Sequence, residues 1–407
     1  MKILLLCFSA VIGFTACYTS KPSTHKLPIP EDSYTVPIDR QLKTSYRFDG
    51  VYVDNQFDGA RMNGFMQVND STFRVIVSPE NTPINASSYF AFRMRSERQR
   101  SIDLEINYTE HEHRYVPKLS RDGKSWVPMD TTQFDTLKAG NLVSLQLDID
   151  SSYLFVAAQE VLPSSDSYNW VDSLSGIHSF VRKEIIGTSL DGREIPFFEI
   201  SEGEVRKNPA IAVFGRIHPP ELTGYLAMKA FVETLLDTSQ LAKAFRRNYR
   251  IMVYPIINPD GVDMGHWRHN AGGVDLNRDW SHYRQKEPRL VAYHLKKELS
   301  KQRNSLVLGL DFHSTQEDVY YTLTENRVSH IHGFKDLWIE AIDRAFEDYV
   351  PNDEPYDLNQ PITKAWFYLE FGAEGITYEV GDETDRDFVK NKAQVAAVEM
   401  MKLLVLK

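Results

Sequence analysis

At 407 residues the chain is longer than one hydrophobic core usually serves, so two domains are the first expectation. Its composition, 42% hydrophobic and 25% charged, is that of a globular chain and excludes a disordered, collagen-like or multi-span membrane protein. The formal net charge of −10 lacks the basic surplus of a nucleic-acid binder, and two cysteines cannot build a disulfide scaffold.

The chain opens on an address. Lys2 supplies positive charge, and Ile3 to Ala16 is uncharged, apolar and too short for a transmembrane helix. The stretch ends in Phe14-Thr15-Ala16-Cys17, which resembles the lipobox of bacterial lipoproteins, where cleavage precedes the cysteine and lipid is attached to it. Phe14 stands where that motif prefers Leu, and an ordinary secretory signal cut nearby is the alternative. The lipoprotein reading makes residues 1–17 a signal peptide with lipidation at Cys17. It places the protein outside the cytosol, lipid-anchored in the bacterial cell envelope at the periplasm or cell surface. Cys7 leaves with the leader, so the mature chain has no disulfide. Residues 18–44 are polar, contain Pro22, Pro28, Pro30 and Pro37, and read as a tether.

From 45 to 160 the apolar pattern has period two. Ile102, Leu104, Ile106 and Tyr108 alternate with Asp103, Glu105 and Asn107, and Val143, Leu145, Leu147 and Ile149 behave alike. Such runs bury one face of an antiparallel sheet, and several in succession predict a β-sandwich domain. Residues 161–175, with Pro163 and a Ser/Asp cluster, read as a linker. From 176 to 407 the period changes. Continuous apolar runs at Ala210–Gly215, Ile251–Ile257, Leu306–Phe312 and Gly375–Val380 predict buried strands. Helical spacing recurs at Met228, Phe231, Val232 and Leu235, and at 288–300, 334–347, 363–371 and 386–404. Strands alternating with helices predict an α/β domain with a mixed, mostly parallel sheet flanked by helices.

His218-Pro219-Pro220-Glu221 follows the first of these strands. A His-x-x-Glu pair at a helix entry offers two of the three protein ligands of an open zinc site. The pair is weak alone, and a loop histidine beside a helix N-terminal Glu is an equally simple reading. Position adds weight: His313 and Glu379 fall at the ends of two other predicted strands. Ligands of open α/β sheets bind beyond the carboxyl ends of strands, so these groups meet at one rim. An internal salt bridge with an arginine is the alternative for Glu379.

At this point the chain resembles the zinc carboxypeptidases of the carboxypeptidase A type, over roughly 180 to 404. The resemblance rests on His218-Pro-Pro-Glu221, Asn258-Pro-Asp-Gly261, Trp267-Arg268, Asp275-Leu-Asn277-Arg278, Asp311-Phe-His313-Ser314 and Tyr378-Glu379, in that order. Gly187-Thr-Ser189 with Gly192-Arg193 is similar to the family's lead-in strand and turn. A closer likeness is to the cytosolic carboxypeptidase subfamily, whose members place a β-sandwich before the catalytic domain. Phe57-Asp-Gly-Ala-Arg61 and the strands after it resemble that module.

The resemblance implies that His218, Glu221 and His313 hold one Zn2+, with water in the fourth position. It implies that Glu379 is the general base, that Arg268 polarises the scissile carbonyl, and that Asn277 and Arg278 clamp the substrate's terminal carboxylate. The family often carries Arg just before the ligand Glu, where this chain has Pro220. Counting back from Glu379 puts Tyr356 near the expected catalytic-face tyrosine and Lys364 near the specificity pocket. A loop tyrosine and a solvated helix lysine are the plainer readings of these two. Asp263 and Asp311 are candidates to orient ligands, Asp311 the better. His111 and His113 lie on a predicted strand without a third ligand, His266 and His269 flank Arg268, and His330 and His332 read as surface residues. The implied function is a zinc metallocarboxypeptidase acting on peptide or protein C-termini, attached to a membrane by its lipid, with no nucleic-acid partner. The alternatives are a zinc amidase acting on cell-wall (murein) peptides and an inactive peptide-binding module.

Overall fold

The computed structural model describes residues 25–137, 140–203, 208–302, 305–356 and 358–405. Cys17, the rest of the leader and residues 18–24 of the expected tether lie outside them.

The period-two segment forms two facing sheets. One has six strands in the order Ser45–Phe48, Val51–Asp54, Ala91–Ser96, Leu154–Ala157, Lys118–Ser120 and Val127–Pro128. The other has five, in the order Gly64–Gln67, Thr72–Val77, Arg100–Tyr108, Leu142–Ile149 and Phe134–Leu137. The alternation sets the register: Ile102, Leu104 and Ile106 pair with Leu147, Leu145 and Val143, and all six side chains are buried between the sheets. One pair departs from the antiparallel expectation, since Thr72–Val77 runs parallel to Arg100–Tyr108. A parallel pair needs a crossover. Here the chain crosses by building Ala91–Ser96 in the opposite sheet before returning.

The second domain holds an eight-stranded sheet. Its order is Val181–Thr188, Glu194–Ile200, Arg250–Tyr254, Ala210–Phe214, Leu306–Thr315, Glu374–Gly381, Val319–Thr322 and Asp353–Pro355. The central strands at 250, 210, 306 and 374 are mutually parallel, and antiparallel pairs flank them. Every residue of Ala210–Phe214 and of Arg250–Tyr254 is buried. That follows from helices on both faces, which leave no wet side to favour alternation. Leu222–Leu235 and Arg386–Val405 cover one face through Met228, Phe231, Ala393 and Met401. Lys286–Gln302 and Thr363–Phe371 cover the other through Val291, Leu295, Trp366 and Phe367.

Three expectations are corrected. The linker at 161–175 is largely a helix, Ser164–Ile177, whose Trp170, Val171 and Leu174 pack into the α/β core; the Ser/Asp cluster is its polar first turn. The described part of the tether is strapped along both domains, with Gln41 Nε2 also donating to Ala60 O of the sandwich at 2.6 Å. Leu27 N donates to Ser281 Oγ at 2.8 Å, Arg284 donates to Ser33 O at 2.9 Å, and Gln41 Nε2 donates to Met264 O at 2.7 Å. Its prolines keep it extended, and side chains of the domains satisfy its backbone in place of a ladder. His111 and His113 lie in a loop, with His111 at φ 56°, and His113 Nδ1 bonds Tyr108 Oη at 2.8 Å. Among the described residues no helix is long and apolar enough to cross a membrane.

Candidate metal centre

Two stretches distant in sequence, His218 to Glu221 and the strand carrying His313, deliver three side chains to one buried point. The strand Ala210–Phe214 ends just before His218, Glu221 sits at the N-cap of Leu222–Leu235, and His313 lies near the end of Leu306–Thr315. The helix entry must lie directly on the strand Leu306–Thr315. A Cβ at Gly224 would fall 2.2 Å from His313 O, so only glycine lets the backbones approach this closely. The three residues are 3%, 8% and 1% exposed, and one ligand atom from each lies within 4.8 Å of the others.

Both imidazoles turn Nδ1 inward. His218 Nδ1 lies 2.8 Å from Glu221 Oε1, and His313 Nδ1 lies 2.7 Å from Glu221 Oε2. The outer nitrogens are held by carboxylates. His313 Nε2 meets Asp311 Oδ2 at 2.7 Å, and His218 Nε2 meets Asp275 Oδ1 at 2.9 Å. Outer-shell carboxylates of this kind fix ring orientation and raise ligand basicity. Asp263, the other expected orienter, is elsewhere: it accepts from Ser164 N and from Arg193 Nε at the seam between the domains. Asp275 takes the role instead. Burial opposes a charged His313, but Asp311 and Glu221 outweigh it and hold its pKa well above the usual histidine value. Burial likewise opposes ionised Glu221, and His218 and His313 hold it well below the carboxylate range.

Two imidazole nitrogens and one carboxylate, with a further position left to the cleft, form the donor set of an open zinc site. The buried donors and their carboxylate-held outer nitrogens fit that ion.

Glu379 stands beside the centre because it is the register partner of His313 on the adjacent parallel strand. Paired residues of neighbouring strands project to the same face. Its Oε2 is buried with no hydrogen-bond partner among the described residues, and burial, aided by Glu221, pushes its pKa up to about 8. Arg268, 9% exposed, donates from Nε to Asp275 Oδ2 at 2.7 Å, with Nη1 3.8 Å from Glu221 Oε1. Asp275 thus touches a metal-site histidine with one oxygen and Arg268 with the other.

The segment carrying Arg268 is anchored in the other domain. Trp267 is fully buried within the sandwich core, edge-on to Tyr108 at 6.4 Å, and its Nε1 donates to Tyr89 O at 2.7 Å. Nothing in the sequence marked Glu80, yet its buried carboxylate accepts the backbone N–H groups of Trp267, Arg268 and His269. His269 Nδ1 bonds Asn81 and His266 Nδ1 bonds His269 O, so both rings buttress this loop. His330 and His332 are exposed.

These groups open on a cleft of about 420 Å³ lined by His218, Glu221, Arg268, Asn277, Arg278 and Glu379. Asn277 Oδ1 accepts from Thr363 N at 3.0 Å and its Nδ2 lies 3.4 Å from His313 Nε2. Arg278 rests its Nη1 on Asn277 O at 2.9 Å and leaves a side chain 21% exposed toward the cleft. Tyr356 also lines it. Lys364 does not, and it is not solvated either. It is fully buried, donating to Thr322 O at 2.7 Å and to Tyr356 O at 3.0 Å, with Nζ 4.9 Å from the Tyr356 ring centre. A larger hollow of about 780 Å³ lies on the sandwich beside Ser120 and Asp122 and contains none of these groups.

The sequence profile described as zinc carboxypeptidase matches residues 167–399. An uncharacterized protein of Zymomonas mobilis is 23% identical over 238 residues, covering 57% of this chain and 60% of its own. Cytosolic carboxypeptidase 1 of Xenopus laevis is 31% identical over 124 residues, covering 27% of this chain and 10% of its own. The chain therefore spans less than two thirds of these relatives. A metallo-carboxypeptidase of Burkholderia cenocepacia superposes with a TM-score of 0.72 at 15% identity, covering 88% of this chain and 98% of the other. A metallo-carboxypeptidase of Pseudomonas aeruginosa, in complex with (2-guanidinoethylmercapto)succinic acid, gives 0.70 at 17% identity, covering 87% and 98%. At these identities the structural likeness is one of fold, and it extends over both domains.

Proposed function

We propose that this chain, which belongs to the zinc carboxypeptidase family, hydrolyses the last amide bond of peptides and releases the C-terminal amino acid. The observation that carries the reading is the placement of Glu379, register partner of His313, on one cleft with Arg268 and Arg278.

His218, Glu221 and His313 would hold the ion, which supplies Lewis acidity that polarises a carbonyl and brings the pKa of water toward about 7. The remaining work falls to side chains. Arg278 offers a planar fork that meets a terminal carboxylate bidentately, and Asn277 stands at the same wall. Their grip sets the last amide beside Glu379. Glu379, whose pKa burial raises and which a bound cation would return to its ionised form, accepts a proton from the attacking water and returns one to the leaving amine. Arg268, fixed by Asp275 before substrate arrives, donates to the carbonyl oxygen as negative charge grows there.

Peptides of one sequence, with free or amidated C-termini, test the reading by mass spectrometry with and without a chelator. Stepwise loss of single residues from the free peptides only, abolished by the chelator, is the expected result. Internal fragments, or equal cutting of both forms, overturn it. Export and lipid attachment at Cys17 rest on the leader sequence, and labelled fatty acid incorporated by the wild type and not by Cys17→Ser is the result they require.

A further inference from the structure

Arg114 belongs to the β-sandwich domain, yet it lines the same cleft as Glu221 and Glu379, together with Asn85 of that domain. It is held there firmly. Nε and Nη2 both reach Asp382 Oδ2 at 2.8 Å, and Nη1 donates to Ala86 O at 2.9 Å. The side chains of Arg114 and Asp382 are only 12% and 5% exposed. Asp382 follows directly on the strand that carries Glu379. The ion pair therefore fixes a sandwich residue against the strand of the general base.

Arg278 and Arg114 reach the same cleft from different domains. Arg278 comes from the Asp275 side, where Asp275 meets His218 Nε2. Arg114 is held by Asp382, the residue after the Glu379 strand, and lines the cleft together with Glu221. If Arg278 takes the carboxyl end and Arg268 the scissile carbonyl, Arg114 is the cleft-lining guanidinium left for the rest of the peptide. Pro220 gives the α/β domain no cation of its own next to Glu221. The charge of Arg114 is already balanced by Asp382, so it suits a neutral acceptor such as a peptide carbonyl better than a second anion. Asn85 is exposed beside it and carries both a donor and an acceptor.

We propose that Arg114 and Asn85 form a subsite for the peptide backbone upstream of the scissile bond, so that the β-sandwich domain supplies part of the substrate cleft. This rests on the carboxypeptidase reading above.

The test compares kcat/KM on N-blocked dipeptide, tripeptide and tetrapeptide substrates sharing their last residue, for the zinc-loaded wild type, Asn85→Ala and Arg114→Lys. The wild type should prefer the tetrapeptide to the dipeptide by roughly tenfold, the worth of one charge-assisted hydrogen bond. That ratio should fall toward unity in both variants. The Glu379→Gln background reads the same ratio as peptide affinity by calorimetry, without turnover. A merely structural ion pair lowers all lengths alike and leaves the ratio intact; that result, or a wild type indifferent to length, overturns the subsite alone. No release at any length overturns the carboxypeptidase reading and the subsite together.

Discussion

Glu80 and Arg268, from different domains, are joined through the backbone: Glu80 Oε1 accepts the Arg268 N–H at 3.0 Å. The same oxygen accepts from His269 N at 2.6 Å, and Oε2 accepts from Trp267 N at 2.8 Å. With Trp267 sunk in the sandwich core, the loop that aims Arg268 has few other conformations open to it. Glu80→Gln replaces one acceptor with a donor facing these N–H groups. The expected result is a loss of kcat/KM of roughly ten- to a hundredfold, of the order of one misplaced transition-state contact, with zinc content unchanged. If Glu80 acts through Arg268, the same change made in Arg268→Ala costs little more, which a double-mutant cycle reads directly.

Glu379→Gln tests the base. The amide keeps the shape of the side chain and loses the ability to take a proton. Turnover should fall by about three orders of magnitude or more, while zinc stoichiometry and folding stay at wild-type values. Near-normal turnover removes Glu379 from the mechanism.

Arg278→Ala tests the clamp. The loss should fall on peptides with a free carboxylate, because only they fill a bidentate site. An equal loss on amidated peptides points to a different cleavage mode.

Zinc binding should release protons. In the metal-free protein Asp311 and Glu221 keep His313 charged despite its burial, and burial keeps Glu379 protonated up to about pH 8. A ligand nitrogen must be neutral, and a cation nearby favours ionised Glu379. Binding near pH 7 therefore expels roughly one to two protons. The sign follows: apparent affinity weakens as pH falls and rises as pH rises, levelling only once the raised pKa values of Glu379 and His313 have been passed. Calorimetry in buffers of different ionisation enthalpy measures the count, and an enthalpy independent of buffer contradicts it. Chelation should also lower the thermal midpoint, since a ligand at a thousand times its Kd stabilises by about 4 kcal/mol.

Gly224→Ala tests how the centre is assembled. A methyl 2.2 Å from His313 O cannot be absorbed, because the neighbour is backbone. The helix carrying Glu221 at its cap must move away from the strand carrying His313. Zinc affinity should drop at least about tenfold and stability by about 1–3 kcal/mol. An unchanged affinity indicates that the helix entry and the strand adjust independently.

Much of this was legible in the sequence for physical reasons. Alternation at Ile102–Tyr108 and Val143–Ile149 forces one face inward, and continuous apolar runs ending at His313 and Glu379 put both at a strand rim. What escaped depends on contacts that no local pattern encodes. Glu80 meets Arg268 across 188 positions, and Arg114 meets Asp382 across 268. The helix Ser164–Ile177 was masked by the Ser/Asp residues of its first turn, although Trp170, Val171 and Leu174 already held helical spacing. Spacing from Glu379 alone locates Lys364 in the chain and cannot reveal that its ammonium is taken up by the carbonyls of Thr322 and Tyr356.

The most direct test of the centre is X-ray absorption at the zinc edge, with metal quantitation, on protein equilibrated with zinc and freed of excess. About one ion per chain, bound by two imidazole nitrogens and carboxylate or water oxygen at about 2.0–2.2 Å, and lost in His313→Ala, is the expected outcome. An ion retained in His313→Ala with an unchanged spectrum, or a wild type that holds none, contradicts it.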